Sequence, residues 1–187
     1  MPAEKSSEGG HGPRNESRAG AITGLFVVIM GVSGCGKSAV GQRIAQATGL
    51  PLVEGDEFHP PANIEKMRRG IPLQDEDRAG WLDRLGEELQ RRPDGAVLTC
   101  SALKRSYRDR LRRFVPSLRF VHLALTQEQA LQRVAARDGH FYPPSLVASQ
   151  FEALEHPAGE AGVLSVDASV PLDEVSARAI AWLAQPA

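Results

Sequence analysis

The sequence of 187 residues predicts an α/β fold in which a parallel central sheet is covered by helices on both faces. Two observations support this prediction. Short apolar runs alternate with segments of helical periodicity, and a glycine-rich loop separates the first run from the first helix. Strands of a parallel sheet are buried on both faces, so their sequences are almost continuously apolar, as these runs are.

Five apolar runs are predicted to form the strands of this sheet. They occupy residues 25–30, 52–53 leading to Asp56, 96–100, 118–125 and 163–166. Ligands of such sheets bind at the carboxyl ends of the strands. We therefore expect the functional residues to follow these runs directly.

Helical patterns occupy the intervals between the strands. Thr126 and Gln129 have the spacing of a capping box and predict the start of one helix. Three further helices are predicted from apolar stripes at Val40, Ile44 and Ala47, at Leu82, Leu85 and Leu89, and at Leu172, Val175, Ala179 and Trp182.

The first 23 residues differ in composition from the rest of the chain. They are rich in glycine, serine and charge, so we predict a disordered tail before a single domain over 24–187. The tail has neither a secretory apolar core nor the acid-poor composition of an organelle-targeting peptide, so a cytoplasmic location is expected. The net charge of -1 and the absence of a long apolar run favour neither nucleic acid nor a membrane as partner.

Residues 31–38 read GVSGCGKS and have the spacing G-x-x-x-x-G-K-S between a strand and a helix. Such a loop directs backbone N–H groups at nucleotide phosphates, while its lysine reaches the β- and γ-phosphates and its serine binds Mg²⁺. The predicted nucleotide site comprises Gly31, Ser33, Gly34, Cys35, Gly36, Lys37, Ser38 and Ala39. Cys35 occupies a variable position, so we expect its side chain to pack; it and Cys100 are predicted to be reduced thiols.

Phosphate loops of this kind occur in switches, motors and kinases. The chain has two asparagines, Asn15 and Asn63, and neither begins the N-K-x-D sequence by which GTPases recognise guanine. A motor needs an acid at the end of a neighbouring strand, but the third run is followed by Ser101. Asp167, after the last run, is the weaker candidate for that acid.

Asp56 ends the second run and is the better candidate for chemistry. At the carboxyl edge of the sheet it can accept a hydroxyl proton and help to hold Mg²⁺ through water, as phosphoryl transfer requires. From position alone, a role as a helix N-cap remains equally open.

The residues around Asp56 belong to a longer pattern that continues to residue 155. Residues 55–60 read GDEFHP and are followed by Asn63, Lys66-Met67, GIPLQDEDR at 70–78 and Trp81-Leu82. A second block reads CSALK at 100–104 and YRD at 107–109, and a third contains Arg133, Arg137, His140-Phe141, Pro144, SQF at 149–151 and LE at 154–155. Together these blocks resemble the signature of the gluconokinase family; Tyr142 and Ala79-Gly80 are small departures.

The resemblance implies a P-loop kinase fold and the ATP- and Mg²⁺-dependent phosphorylation of D-gluconate at its 6-hydroxyl. It also implies substrate-side helices at about 60–92, a lid at about 133–156 and a possible homodimer. The implied roles are catalysis by Lys37, Asp56 and Arg137; phosphate or adenine binding by Arg133; metal binding by Ser38 and Asp56; and gluconate binding by Asp56, His59, Lys66, Ser101, Lys104 and Arg108.

Lys104 and Arg108 stand four residues apart on a predicted helix, so one helix edge could carry both cations to the substrate carboxylate. Asp75, Asp77 and Arg78 are interpreted as structural support for the substrate-side helices, and Trp81 as a core residue. Two other functions stay open from the residues alone. One is a related kinase for another acceptor, such as shikimate or a nucleoside monophosphate, and the other is a nucleotide-gated binding module.

Overall fold

The computed structural model describes residues 24–136, 143 and 145–186. The tail predicted over residues 1–23 lies outside the described residues, as do Arg137 and His140 of the predicted lid. In the described part, five parallel strands form one sheet in the order β2-β3-β1-β4-β5. The predicted fold class is therefore confirmed.

The strands lie close to the predicted runs. They are β1 (Leu25–Met30), β2 (Leu52–Glu54), β3 (Gly95–Thr99), β4 (Arg119–Ala124) and β5 (Val163–Asp167). The helices of the described residues are α1 (Lys37–Thr48), α2 (Pro61–Arg68), α3 (Asp75–Gln90), α4 (Arg105–Phe114), α5 (Gln127–Ala135), α6 (Ser145–Ala153) and α7 (Leu172–Leu183). A 3-10 turn, Gly55–Phe58, follows β2 directly.

Alternate residues of β1 enter two separate cores, one on each face of the sheet. Val27 and Ile29 pack in the core that α1, α5, α6 and α7 complete, whereas Val28 and Met30 pack in the core that α3 and α4 complete. This alternation explains why the strand is apolar at every position. Helices cover both faces, as the sequence predicted.

Two helices allow the predicted capping box and the predicted apolar stripe to be compared with the structure. The capping box of α5 is present, since Gln129 N donates to Thr126 Oγ1 and Thr126 N donates to Gln129 Oε1. In α1 the buried stripe continues from Ile44 to Thr48, and Ala47 is exposed. The prediction that Ala47 continues the buried stripe was wrong, because the residue of α1 that is buried after Ile44 is Thr48, four positions further on.

The ends of β2 and β3 approach each other closely at Gly55. A Cβ atom built on Gly55 would lie 2.2 Å from the carbonyl oxygen of Thr99, so no larger residue fits there. The Gly55 carbonyl oxygen accepts a 2.8 Å hydrogen bond from Nε1 of Trp81, which is buried in α3 as predicted. These contacts fix the turn that carries Asp56.

None of the helices in the described residues is long and apolar enough to cross a membrane.

Two histidines of the described residues are buried, one at the end of the 3-10 turn and the other within β4. Burial is the main cause that lowers the pKa of His59 to about 4, and it likewise lowers the pKa of His122 to about 4. His122 lies on β4, where its Nδ1 is 3.1 Å from Ser165 Oγ and its ring meets that of His156 edge to face. Both rings are therefore neutral in the folded chain near neutral pH.

The buried histidines predict a loss of stability in mild acid. The unfolded chain binds these protons near pH 6.5 and the folded chain near pH 4, so the free energy of unfolding falls as pH falls through that window. In His122→Gln, the proton uptake on unfolding should decrease by about one proton in this window. Urea unfolding measured from pH 7 to pH 4 checks this. An unchanged slope in His122→Gln would contradict the expectation.

The bond between Trp81 and Gly55 predicts a difference between the two tryptophans. Trp81→Phe keeps an aromatic ring but leaves the buried Gly55 carbonyl oxygen without its donor, which costs about 1–3 kcal/mol of unfolding free energy. Trp182→Phe is the control, because the Trp182 ring contacts Arg119 and its indole N–H donates to none of the residues described in the structure. Urea unfolding compares the two variants, and equal losses would reject the role of the Gly55 bond.

Candidate functional site

The predicted phosphate loop joins β1 to α1 and has the conformation that its glycines permit. Gly34 has a positive φ of 84°, and a Cβ there would lie 3.0 Å from the Ala130 carbonyl oxygen. Lys37 Nζ donates to the carbonyl oxygens of Gly31 and Val32, each at 3.2 Å, so the ammonium lies across the loop. The Cys35 side chain is buried, and burial raises the pKa of its thiol, so only the Cys35 backbone is suited to bind phosphate.

A carboxylate that the sequence reading did not select lies beside Ser38. Glu54, the last residue of β2, accepts hydrogen bonds at Oε2 from Ser38 Oγ at 3.0 Å and from Thr99 Oγ1 at 2.6 Å. Its signal was a polar residue at the carboxyl end of a strand, two residues before Asp56 in the chain. The carboxylate that contacts Ser38 is therefore Glu54, and not the predicted metal ligand Asp56.

The main cleft lies between the phosphate loop, the 3-10 turn and α6, and has a volume of about 210 Å³. It brings together five residues that the sequence predicted for the site: Ser33, Lys37, Asp56, His59 and Ser101. The remaining lining residues are Met67, Leu73, Arg78, Leu146 and Gln150. The cleft thus combines the loop lysine, a carboxylate and an arginine in one space.

His59 is held next to Asp56 by two neighbours. Its ring stacks on Trp81 with centroids 4.0 Å apart, and its Nε2 lies 4.0 Å from Asp56 Oδ1. Asn63 Nδ2 is 3.4 Å from His59 Nδ1 and donates to the Asp77 carbonyl oxygen at 2.7 Å. Because an amide nitrogen only donates, Nδ1 accepts and the proton of the neutral ring is on Nε2, on the side of Asp56.

Arg78 is a second cation of the cleft beside Lys37, although the sequence suggested a structural role for it. Its guanidinium lies 5.7 Å from the centre of the Tyr107 ring and forms no ion pair with any residue that the structure describes. The missed signal was helical spacing, since Arg78 precedes Trp81 and Leu82 by three and four residues. It therefore projects from the face of α3 that packs toward the site.

Two lysines predicted to bind substrate are each paired with an aspartate. Lys66 Nζ lies 2.6 Å from Asp77 Oδ1, and Lys104 Nζ lies 2.6 Å from Asp75 Oδ1. These hydrogen bonds are the largest cause that lowers the pKa of each aspartate. Neither lysine lines the main cleft, so each charge is already balanced outside it.

Arg108 is directed away from the cleft. Its side chain is 1% exposed and pairs with Glu160 at 2.7 Å, while Nη1 donates to the carbonyl oxygens of Ala102 and Leu103. The predicted helix edge with Lys104 and Arg108 does not form, because α4 begins at Arg105 and Lys104 is in extended conformation. Arg108 therefore ties α4 to the segment before β5.

A second cavity of about 200 Å³ adjoins the phosphate loop on the other side. The predicted residues Cys35, Gly36, Ala39 and Arg133 line it, together with Val40, Ala168, Val170, Leu172 and Val175. Arg133 Nη2 donates to the Ala168 carbonyl oxygen at 2.7 Å, which fixes the guanidinium at the cavity wall. The sequence analysis had predicted a helix in the segment after β5 but had assigned none of its residues to a binding site.

Asp167, the alternative acid of a motor, ends β5 at the edge of the sheet. Its Oδ1 accepts a hydrogen bond from Ser169 N at 2.8 Å. Strand β4 separates β5 from β1, which carries the phosphate loop. Asp167 thus stabilises the turn beside the second cavity and is not adjacent to Ser38.

Known proteins resemble this chain over most of its length. A family model described as an AAA domain matches residues 26–157. Gluconokinase from Gluconobacter oxydans (strain 621H) is 48% identical over 75% of this chain and 81% of its own, and thermosensitive gluconokinase from Escherichia coli (strain K12) is 42% identical over 78% and 80%. The crystal structure of a gluconokinase from Sinorhizobium meliloti 1021 superimposes with a TM-score of 0.80 at 50% identity, covering 86% of this chain and 91% of that chain.

The likeness to these relatives agrees with the signature that surrounds Asp56. The chain belongs to the gluconokinase family.

Proposed function

We propose that the chain transfers the terminal phosphoryl group of ATP to the 6-hydroxyl of D-gluconate, giving 6-phosphogluconate and ADP. The observation that carries this proposal is the joint presence of Lys37, Asp56 and Arg78 in one cleft beside the phosphate loop. Its test is a coupled assay with ATP, Mg²⁺ and a panel of acceptors that includes gluconate, shikimate and nucleoside monophosphates. ADP release without dependence on gluconate would reject the proposal.

The nucleotide would occupy the phosphate loop and the second cavity. The loop N–H groups and Lys37 bind its phosphates, and the adjacent cavity of about 200 Å³ offers apolar side chains and the Arg133 guanidinium to a flat base. Arg133 is already fixed by its bond to Ala168, so little order is lost when a base stacks on it. This arrangement fits a purine nucleotide.

The residues around Ser38 fit a magnesium ion. Mg²⁺ is held by one or two carboxylates together with phosphate oxygens and waters, so a site with a hydroxyl and one close carboxylate is sufficient. Ser38 and Glu54 supply these groups, and Asp56 would add a contact through water. Mg²⁺ held by these residues would supply positive charge that offsets the charge developing on the transferring phosphoryl group.

Asp56 is proposed as the general base. Its side chain is 82% exposed and lines the cleft, so it can accept the proton of the 6-hydroxyl as that oxygen attacks the phosphoryl group. His59 beside it is neutral, and its Nε2–H faces Asp56 at 4.0 Å, beyond hydrogen-bond distance, so the ring places no permanent positive charge beside the carboxylate. Lys37 stabilises the negative charge on the phosphates.

Arg78 is proposed to bind the gluconate carboxylate. It lacks an ion pair within the described part of the chain, and a guanidinium matches the geometry of a carboxylate with two parallel hydrogen bonds. Lys66 and Lys104, paired with Asp77 and Asp75, would support the walls of the cleft.

A cytoplasmic location and a homodimer stay proposals, which cell fractionation and light scattering would test.

The role of Asp56 predicts a selective loss of turnover. Asp56→Asn should lower kcat by at least about 10²-fold, because the variant cannot accept the hydroxyl proton, and should leave the Kd for ATP nearly unchanged. Initial rates and ATP titration measure the two quantities. Glu57→Gln, which changes an exposed carboxylate in the same 3-10 turn, is the control and should retain kcat. A kcat near that of the parent enzyme in Asp56→Asn would remove Asp56 from the role of base.

The positions of Arg78 and Arg108 predict opposite phenotypes. Arg78→Met should raise the KM for gluconate by about 10- to 100-fold, which corresponds to the loss of a charged hydrogen bond. Arg108→Met should instead lower the free energy of unfolding by about 3 kcal/mol, because it leaves buried Glu160 with Arg112 as its one remaining side-chain partner among the described residues. Steady-state kinetics and urea unfolding on both variants check this, and a larger KM effect in Arg108→Met would reverse the assignment.

A further inference from the structure

Gln150 is buried in the wall of the main cleft, where α6 meets the phosphate loop. Its side chain accepts a 2.6 Å hydrogen bond at Oε1 from the backbone N–H of Ser33. The residue is 7% exposed and lines the cleft together with Asp56 and Arg78. It is thus a polar side chain from the last described helix before β5 that contacts the loop directly.

The Ser33 bond determines the orientation of the carboxamide. A backbone N–H only donates, so Oε1 must face Ser33 and the amide group Nε2 must face the other way. Among the described residues, none accepts a hydrogen bond from Nε2. Because Gln150 lines the cleft and its Oε1 is held by Ser33, Nε2 is a fixed donor that can bind a ligand in the cleft.

The position of Gln150 indicates which part of the substrate it contacts. This step rests on the proposed function, in which Arg78 holds the carboxylate end of gluconate and Lys37 lies at the reacting end. Gln150 is anchored to Ser33, in the same loop as Lys37, so its amide lies at the reacting end of the cleft. The acceptor nearest to the 6-hydroxyl along the substrate is the hydroxyl oxygen on carbon 5.

We infer that Gln150 is a specificity residue whose Nε2 donates to the 5-hydroxyl oxygen of the sugar acid, while its Oε1 holds the phosphate loop. One side chain then links the loop that binds ATP to the hydroxyl next to the one that is phosphorylated. Substrate binding would close the cleft over Nε2, so an acceptor that lacks this hydroxyl leaves the donor unpaired in the complex, and sites built to hydrogen-bond a substrate hydroxyl discriminate strongly against such analogues.

Two substitutions separate the role of the Gln150 amide oxygen from that of its amide nitrogen. Gln150→Glu keeps an oxygen that accepts from Ser33 and removes the donor, whereas Gln150→Met keeps the length of the side chain and removes both. Both variants should raise the KM for gluconate, by about 3- to 10-fold for the loss of one neutral hydrogen bond. Gln42→Glu, an exposed glutamine on α1, is the matched control for the added charge and should behave as the parent enzyme does.

The decisive measurement tests whether the Gln150 side chain and the 5-hydroxyl of the substrate contribute to the same interaction. The parent enzyme should use 5-deoxygluconate with kcat/KM at least about 10-fold below that for gluconate, and this ratio should approach one in Gln150→Met. A 3-deoxygluconate control should show the same ratio in both enzymes. Thermal unfolding of each variant shows whether the fold is intact.

The outcomes distinguish this inference from the proposed function. If the parent enzyme releases no ADP with gluconate, the proposed function fails first. If the parent enzyme is active and the 5-deoxy ratio is the same in Gln150→Met, the inference is overturned. A Gln150→Glu variant with the gluconate KM of the parent enzyme would also overturn it, because the Ser33 contact alone would then explain the residue.

Discussion

The site depends on the contact between the ends of β2 and β3. Gly55 lies so close to the Thr99 carbonyl oxygen that no Cβ fits between them, and the Gly55 carbonyl oxygen is bonded to the buried Trp81 indole. The same Trp81 ring supports His59 by stacking. The backbone before Asp56 is therefore held on one side by the sheet and on the other by α3. A carboxylate that is 82% exposed is thus mounted on a rigid turn.

The two cores explain how one sheet supports two cavities. Residues of β1 alternate between a core under the phosphate loop and a core under the substrate-side helix α3, so each core backs one part of the site. Glu54 and Thr99 end two neighbouring strands and share a hydrogen bond, which joins the proposed magnesium site to the sheet itself. Parallel strands gather such polar ends at a single edge, and this is why the chemistry lies there.

Much of the fold and the phosphate loop could be predicted because they depend on local sequence. The strands follow apolar runs, and the loop spacing is specific enough to place Lys37 and Ser38. Asp56 was found because it directly follows a strand. Predicting these features requires little information about which side chains that are distant in sequence contact each other.

Residues whose roles depend on long-range pairing could not be predicted in the same way. Arg78 and Arg108 are both arginines on helices, and only the position of Glu160, more than fifty residues after Arg108, decides which of them is buried in an ion pair. Lys66 and Lys104 were assigned to substrate because their aspartate partners lie in a different helix. Glu54 was overlooked since its contact with Ser38 joins two elements. Charge alone indicates which residues could bind an anionic substrate. Tertiary contacts determine which of these residues has no ion pair within the described part of the chain.

The burial of Cys35 has a chemical consequence for the phosphate loop. A thiol reacts with oxidants and electrophiles as its thiolate, and burial raises the pKa of Cys35 while it raises that of Cys100 to about 12. Neither sulfur is ionised or accessible in the folded chain near neutral pH. The loop therefore carries, between two glycines, a cysteine whose sulfur is buried and protonated, the form that reacts slowly with peroxide.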